Sequence, residues 1–130
     1  MQQKVDKISI SHALKGGVIG IVILILCVLI SVVLILKANL NEQFYMPILL
    51  LCVLFSGLIS GYVSSRKTRN NGLLHGSMAA VLPSLVLLVA TSVAGKSFDA
   101  VSFIPISVMI VFGAMGGIMA VNLRIKKKKR

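Results

Sequence analysis

Four long apolar segments that contain no charged side chain constrain this chain more than any other feature. They cover about residues 17–36, 44–63, 73–94 and 101–123. Each has roughly 20 residues, and at about 1.5 Å per residue this is enough to cross a hydrocarbon core of about 30 Å. Because backbone polar groups in lipid must be satisfied within the segment, each should be an α-helix. We therefore expect an all-α integral membrane protein with four transmembrane helices.

The composition supports this interpretation. Of the 130 residues, 57% are hydrophobic and 13% are charged, and the mean hydropathy is +0.98. A soluble domain of this size has too little interior to bury that much apolar surface. The first apolar segment is too long for a cleaved signal peptide, and no A-x-A site follows it. We expect residues 1–130 to form a single transmembrane domain with all four spans retained.

The basic residues predict the orientation of the spans. Of the 14 Lys and Arg residues, only Lys37 and Lys96 fall on one side of the membrane. The others lie in the tails 1–15 and 124–130 and in the loop between the second and third spans. They are Lys4, Lys7, Lys15, Arg66, Lys67, Arg69, Arg124, Lys126, Lys127, Lys128, Lys129 and Arg130. The positive-inside rule then predicts cytoplasmic termini and two in–out–in helical hairpins in the plasma membrane.

The same charges indicate which partners to expect. In a soluble protein, a net charge of +11 would suggest nucleic acid. Here the charges gather at the ends of the spans, so we expect contact with anionic lipid headgroups and none with nucleic acid. The lipid-facing basic residues are Arg66, Lys67, Arg69, Arg124, Lys126, Lys127, Lys128, Lys129 and Arg130.

Glycines recur at i,i+4 spacing in all four spans. The pairs are Gly16/Gly20, Gly57/Gly61, Gly72/Gly76 and Gly113/Gly117. Residues i and i+4 share a helix face, so each pair makes a groove that lets two backbones approach closely. On the predicted topology every pair lies in the cytoplasmic half, which should be packed more closely than the outer half. The pairs serve either packing within one chain or, for one pair, contact with another subunit.

The loop that joins two of these pairs, in GLISGYVSSRKTRNNGLLHG, is not a phosphate-binding loop. It lacks GxxxxGK[ST] and does not follow a β-strand. His75 is the one side chain within the spans that titrates near neutral pH. We expect Ser60, Ser64 and Asn122 at a similar depth, where the four residues would form a polar cluster at the inner mouth of the bundle.

No catalytic or metal-binding constellation is visible. No carboxylate lies in a span to complete a Ser/His/Asp triad, and neither HExxH nor CxxC occurs. We expect no enzymatic activity, no metal and no cofactor. Cys27 and Cys52 fall at comparable depth on the two arms of the first hairpin. They are either small apolar fillers or a redox pair.

Three segments resemble the YrzE-like family of small four-helix membrane proteins of Gram-positive bacteria. They are FSGLISGYVSSR, RKTRNNGLLHGSMAA and GAMGGIMAVNLR. The resemblance covers spans two to four and extends to span one by layout. It implies the cell membrane of a Gram-positive bacterium and no known activity. It also implies a translocon component as a possible membrane-protein partner.

These observations leave three functional hypotheses. The first is an accessory or structural subunit of a membrane complex, packed with itself or with another protein. The second is a small oligomeric transporter or channel whose inner gate includes His75. The third is a membrane protein associated with anionic lipid through its basic tail.

Overall fold

A computed structural model describes residues 2–66, 71–95 and 99–129, although for residues 2–9 only the backbone path is described. The described residues form four α-helices and one short 3₁₀ turn, and they contain no β-strand. The helices are α1 (Gln2–Ala38), α2 (Tyr45–Ser65), α3 (Gly72–Val93) and α4 (Ala100–Lys128), and the 3₁₀ turn Glu42–Phe44 precedes α2. This confirms the all-α prediction.

All four helices contain a stretch long and apolar enough to span a membrane. These stretches are Ile10–Ala38, Glu42–Ser65, Gly72–Val93 and Ala100–Lys128. Two helices continue into segments predicted as tails, since α1 begins at Gln2 and α4 ends at Lys128. Neither extension contains a proline or a glycine to stop the helix. The basic residues in the last turn of α4 also favour its continuation, because cations stabilise the C-terminal end of a helix.

The contacts between glycines and their neighbours define how the helices run. Gly16 lies against Ser64 and Gly20 against Ser60, so α1 and α2 are antiparallel. Gly57 lies against Met109 and α2 runs parallel to α4. Helices α3 and α4 are antiparallel, as are α2 and α3, and α1 also packs on α3. No described residues of α1 and α4 bring their Cα atoms within 8 Å, so these two helices occupy opposite corners of the bundle.

Close packing is concentrated in one half of the bundle. We call this the glycine half, comprising residues 10–24, 53–65, 72–83 and 109–124. The open half comprises residues 25–38, 45–52, 84–93 and 100–108. At the centre lie Val53, Ala80 and Met109, each at most 1% exposed. Leu24 and Leu87 complete this apolar cluster.

Helix α1 becomes more exposed as it enters the open half. Leu24 is its last buried residue, and none of the residues 25–38 is buried. Of its most apolar stretch, 11% is buried in the bundle, whereas the corresponding share is 33% for each of the other three helices. The second half of α1 is therefore an apolar arm with little support from its own chain.

Candidate functional site in the glycine half

Three serines on one face of α2 form a polar seam with α1. Ser56, Ser60 and Ser64 are spaced four residues apart and are fully buried. The hydroxyl of Ser56 donates to the carbonyl oxygen of Gly20 at 2.9 Å, and that of Ser60 donates to Gly16 at 3.0 Å. Both bonds cross from one helix to the next. They satisfy the hydroxyls in a region where no water competes.

The glycines of α1 make this seam possible. A Cβ atom at Gly16 would lie 2.6 Å from the Cβ of Ser64, and one at Gly20 would lie 2.7 Å from the Cβ of Ser60. Real Cβ atoms do not approach other carbon atoms so closely, so alanine would already force α1 away from α2. Glycine therefore brings the α1 carbonyls within reach of the α2 hydroxyls.

A second close contact joins α4 to both α2 and α3, and Gly113 lies at its centre. A Cβ at Gly113 would be 2.5 Å from the Cβ of Ala80 in α3. A Cβ at Gly61 in α2 or at Gly76 in α3 would collide with the Gly113 carbonyl oxygen. Three helices therefore meet at Gly113 with backbone against backbone. Such approaches are typical of small-residue packing in membranes.

The remaining glycines extend these contacts. A Cβ at Gly57 would lie 2.8 Å from the carbonyl oxygen of Met109, and one at Gly72 would lie 2.5 Å from that of Gly117. All eight paired glycines therefore face neighbours within the same chain. These contacts account for packing within one chain, and contact of a pair with another subunit stays a prediction.

At the far end of the glycine half, Ser64 and one further serine tie α2 to α3. Ser64 donates to the carbonyl oxygen of His75 at 3.2 Å, and Ser65 donates to that of Gly72 at 3.0 Å. The backbone of α3 is therefore held at two successive positions by hydroxyls from α2. Asn71, which precedes α3, adopts a left-handed conformation with φ 63° that asparagine tolerates better than most residues.

The side chain of His75 has no such support. Both ring nitrogens, Nδ1 and Nε2, are buried, and neither has a hydrogen-bond partner among the described residues. Its backbone N–H donates to Asn71 at 3.2 Å. A buried imidazole carries at least one donor and one acceptor, and leaving them unpaired costs about 1–3 kcal/mol. Among the described residues, His75 is therefore the one whose buried side-chain polar atoms have no hydrogen-bond partner.

The cysteines lie outside the glycine half, where α1 and α2 begin to separate. Ser31 of α1 donates to the carbonyl oxygen of Cys27 at 2.7 Å, and its Oγ is 2.9 Å from the sulfur of Cys52. The Cys52 thiol is also 3.6 Å from the carbonyl oxygen of Cys27. Both cysteines have free thiols.

A family model described as a protein of unknown function, DUF3792, matches residues 9–120. The match spans most of α1, all of α2 and α3, and α4 as far as its last buried residue, Ala120. The chain belongs to the DUF3792 family. Neither a curated protein nor a solved structure matches it.

In this DUF3792 protein, the matched range contains every paired glycine and the serines of the seam. It ends before the basic tail 124–130. An uncharacterised membrane protein is consistent with this family and with the four apolar helices. The narrower resemblance to YrzE-like proteins of Gram-positive bacteria stays a prediction.

The four residues of the predicted polar cluster do not share one environment. Ser64 and His75 are joined, but through the backbone of His75. Ser60 bonds to Gly16 of α1. Asn122 is exposed on α4. It follows the buried Ala120 by two residues, which turns it about 200° around the helix from the packed face.

Two buried serines that donate to neighbouring helices, Ser56 and Ser65, were not among the predicted site residues. Ser56 precedes Ser60 by four residues, the same spacing that drew attention to the glycine pairs. Counting Ser56, Ser60 and Ser64 as one small-residue face would have identified it. No sequence pattern identifies Ser65, because its hydrogen-bond partner depends on where the loop after α2 places the start of α3.

The predicted lipid-facing basic residues that the structure describes are exposed. These are Arg66, Arg124, Lys126, Lys127, Lys128 and Lys129. Arg124 also donates through Nη1 to the carbonyl oxygen of Arg66 at 3.4 Å, which brings two basic residues together at one end of the bundle. Lys67, Arg69, Lys96 and Arg130 lie outside the described residues, as do the side chains of Lys4 and Lys7. Within the described part of the chain, no three His, Cys, Asp or Glu residues come together as metal ligands.

Proposed function

We propose that this protein is a non-enzymatic integral membrane protein that serves as an accessory or structural subunit of a membrane complex. It spans the plasma membrane four times as two hairpins and keeps both termini in the cytoplasm. The distribution of Lys and Arg supports this orientation, since Lys37 and Lys96 alone fall on the outer side. The exposed basic residues of the inner side contact anionic headgroups, each contributing about 1 kcal/mol.

The observation that carries the proposal is the contrast in burial between α1 and the other helices, 11% against 33%. The close-packing glycines contact neighbours within the chain, which favours a docking surface elsewhere. The exposed stripe Val22, Leu26, Leu29, Val33 and Leu36 lies opposite the packed face of α1, and each residue is at least half exposed. This stripe fits an apolar helix of a second membrane protein or of a second copy, and a translocon component is the first protein to look for.

Site-specific photo-crosslinking in native membranes tests the proposal. A photoreactive residue at Leu29, which is 57% exposed, should give a discrete crosslinked product that mass spectrometry identifies. The matched control is Val111 on α4, which is 56% exposed and equally apolar. A product at Leu29 and none at Val111 supports a partner on α1. Crosslinking to lipid alone at both positions contradicts the proposal.

A second candidate is a small transporter or channel, and the buried, unpaired imidazole of His75 favours it. An intramembrane ionisable group without a partner is a typical feature of a solute or proton path. The reconstituted protein should then move a solute or protons across liposomes, and His75→Ala should alter that flux. The control is Asn122→Ala, which changes an exposed polar residue. No flux from the wild-type protein rules this candidate out.

A further inference from the structure

The two cysteines lie on a groove between α1 and α2 in the open half of the bundle. The groove has a volume of about 480 Å³. Cys27 and Ser31 line its α1 side and Cys52 its α2 side, and apolar residues such as Leu34 and Phe55 make up most of the rest. Its volume lies within the range of roughly 300–1,000 Å³ that is usual for small-molecule sites.

The thiol of Cys52 is held beside the backbone of Cys27. Ser31 has one hydroxyl proton, which it gives to the Cys27 carbonyl oxygen at 2.7 Å. Its Oγ is then the acceptor for the Cys52 S–H at 2.9 Å. The Cys52 sulfur is also only 3.6 Å from the Cys27 carbonyl oxygen, so the two cysteines are neighbours across the contact between α1 and α2.

A disulfide requires the two sulfur atoms to come within about 2.05 Å of each other, and the surroundings of α1 allow this movement. None of the α1 residues from 25 to 38 is buried, so few contacts have to break when α1 moves towards α2 at Cys27. Cys27 and Cys52 both lie well inside candidate membrane spans, so we expect the reagent that reaches these thiols to be one that dissolves in lipid. Aqueous thiols and disulfides such as glutathione do not meet that condition.

We propose that Cys27 and Cys52 are a redox modification site at which a membrane-soluble quinone forms an intramolecular disulfide. Both S–H bonds break and one S–S bond forms. The two electrons and two protons pass to the quinone, which is reduced to the quinol. The cysteines are oxidised, and no other reactant is required.

The disulfide would act on α1, which is the least buried of the four helices. It fastens α1 to α2 beyond Leu24, the last buried residue of α1. In the reduced protein this part of α1 is held to α2 by non-covalent contacts such as that of Ser31 with Cys52, and in the oxidised protein a covalent bond is added to them. Formation of the bond does not depend on the proposed subunit role; only the effect on partner docking rests on it.

The test uses the full chain reconstituted in liposomes and treated with decylubiquinone, a fully substituted quinone that cannot alkylate thiols. After denaturation, a maleimide-polyethylene glycol counts the free thiols by gel shift. The untreated protein should carry two tags, and the treated protein should carry none and regain both after reduction with dithiothreitol. Oxidised glutathione added outside the liposomes should leave both tags in place.

A displaced thiol provides the matched control. Combining Cys52→Ser with Leu49→Cys keeps two cysteines but moves one to an α2 position that does not line the groove. This variant should keep both tags after quinone treatment. The proposal is overturned if the wild-type protein keeps both thiols, if its disulfide joins two chains on a non-reducing gel, or if the displaced pair is oxidised equally fast.

Discussion

The two halves of α1 have opposite structural roles. In the glycine half, Gly16 and Gly20 press against buried serines of α2 and accept hydrogen bonds from them. In the open half, bulky side chains such as Leu29 and Leu36 are more than half exposed. Hydrophobicity alone does not hold either half to its neighbours, because lipid is as apolar as leucine. Small residues that permit backbone contact distinguish the two halves.

The largest effect should come from filling the point where α2, α3 and α4 meet. Gly61→Leu would drive a side chain into the carbonyl group of Gly113. Overpacking typically costs about 1–3 kcal/mol, and more where rigid backbone blocks relaxation. We expect Gly61→Leu to cost at least about 3 kcal/mol and to abolish a cooperative unfolding transition in mild detergent.

The matched control for Gly61→Leu adds nearly the same bulk in the open half. Ala90 is exposed on α3, so Ala90→Leu should leave the unfolding midpoint nearly unchanged. Equal losses for the two variants would contradict the division of the bundle into a closely packed half and an open half.

The next largest effect should come from the serine seam. The double variant Ser56→Ala and Ser60→Ala removes two interhelical hydrogen bonds of 2.9 and 3.0 Å. Each such bond in a membrane contributes about 0.6 kcal/mol on average and at most about 1.7, so we expect a loss of roughly 1–3 kcal/mol. Denaturation in mixed micelles measures it. Ser107→Ala is the control, because Ser107 is exposed and bonds within its own helix.

A smaller effect of opposite sign should come from His75. Replacing the unpaired imidazole by His75→Leu removes a penalty of about 1–3 kcal/mol, and imperfect packing offsets part of this gain. We expect the unfolding free energy to rise by about 1 kcal/mol. Asn122→Leu, at an exposed site, should change little. A clear loss of stability in His75→Leu would mean that the imidazole has a partner in the membrane.

The smallest effect on stability should come from the apolar arm. Leu29→Ala combined with Val33→Ala changes two side chains that are 57% and 53% exposed. Exposed substitutions usually change stability by less than about 0.5 kcal/mol. Recovery of a crosslinked partner should nevertheless fall sharply. A large loss of stability instead would mean that this face packs within the chain.

The existence of the four helices could be predicted because a membrane leaves an apolar segment few alternatives. The face of each helix that packs against its neighbours could be predicted only where small residues indicated it. In α1 the run IVILILCVLISVVLIL carries no polar stripe, so its sequence does not say which side packs. Gly16 and Gly20 indicated a contact face, but their partners on α2 became evident only from the structure.

For the candidate site, too, one property could be predicted from the sequence and another could not. Depth in the membrane follows from position along a span, and this grouped Ser60, Ser64, His75 and Asn122 together. Direction around the helix decides whether such residues meet, and Asn122 is turned away from the packed face of α4. The hydrogen bonds of the serines go to backbone carbonyls of neighbouring helices. Every residue type carries that carbonyl, so no sequence pattern marks these acceptors.

Distances between spin labels test most directly whether the glycine half is rigid and the α1 arm is free. The protein is placed in nanodiscs with both native cysteines changed to serine. One pair of labels replaces Leu14 of α1 and Leu123 of α4 in the glycine half, and the other replaces Leu34 and Phe103 in the open half. All four positions are about half exposed. The structure predicts a narrow distance distribution for the first pair and a broad one for the second, and equal widths would contradict it.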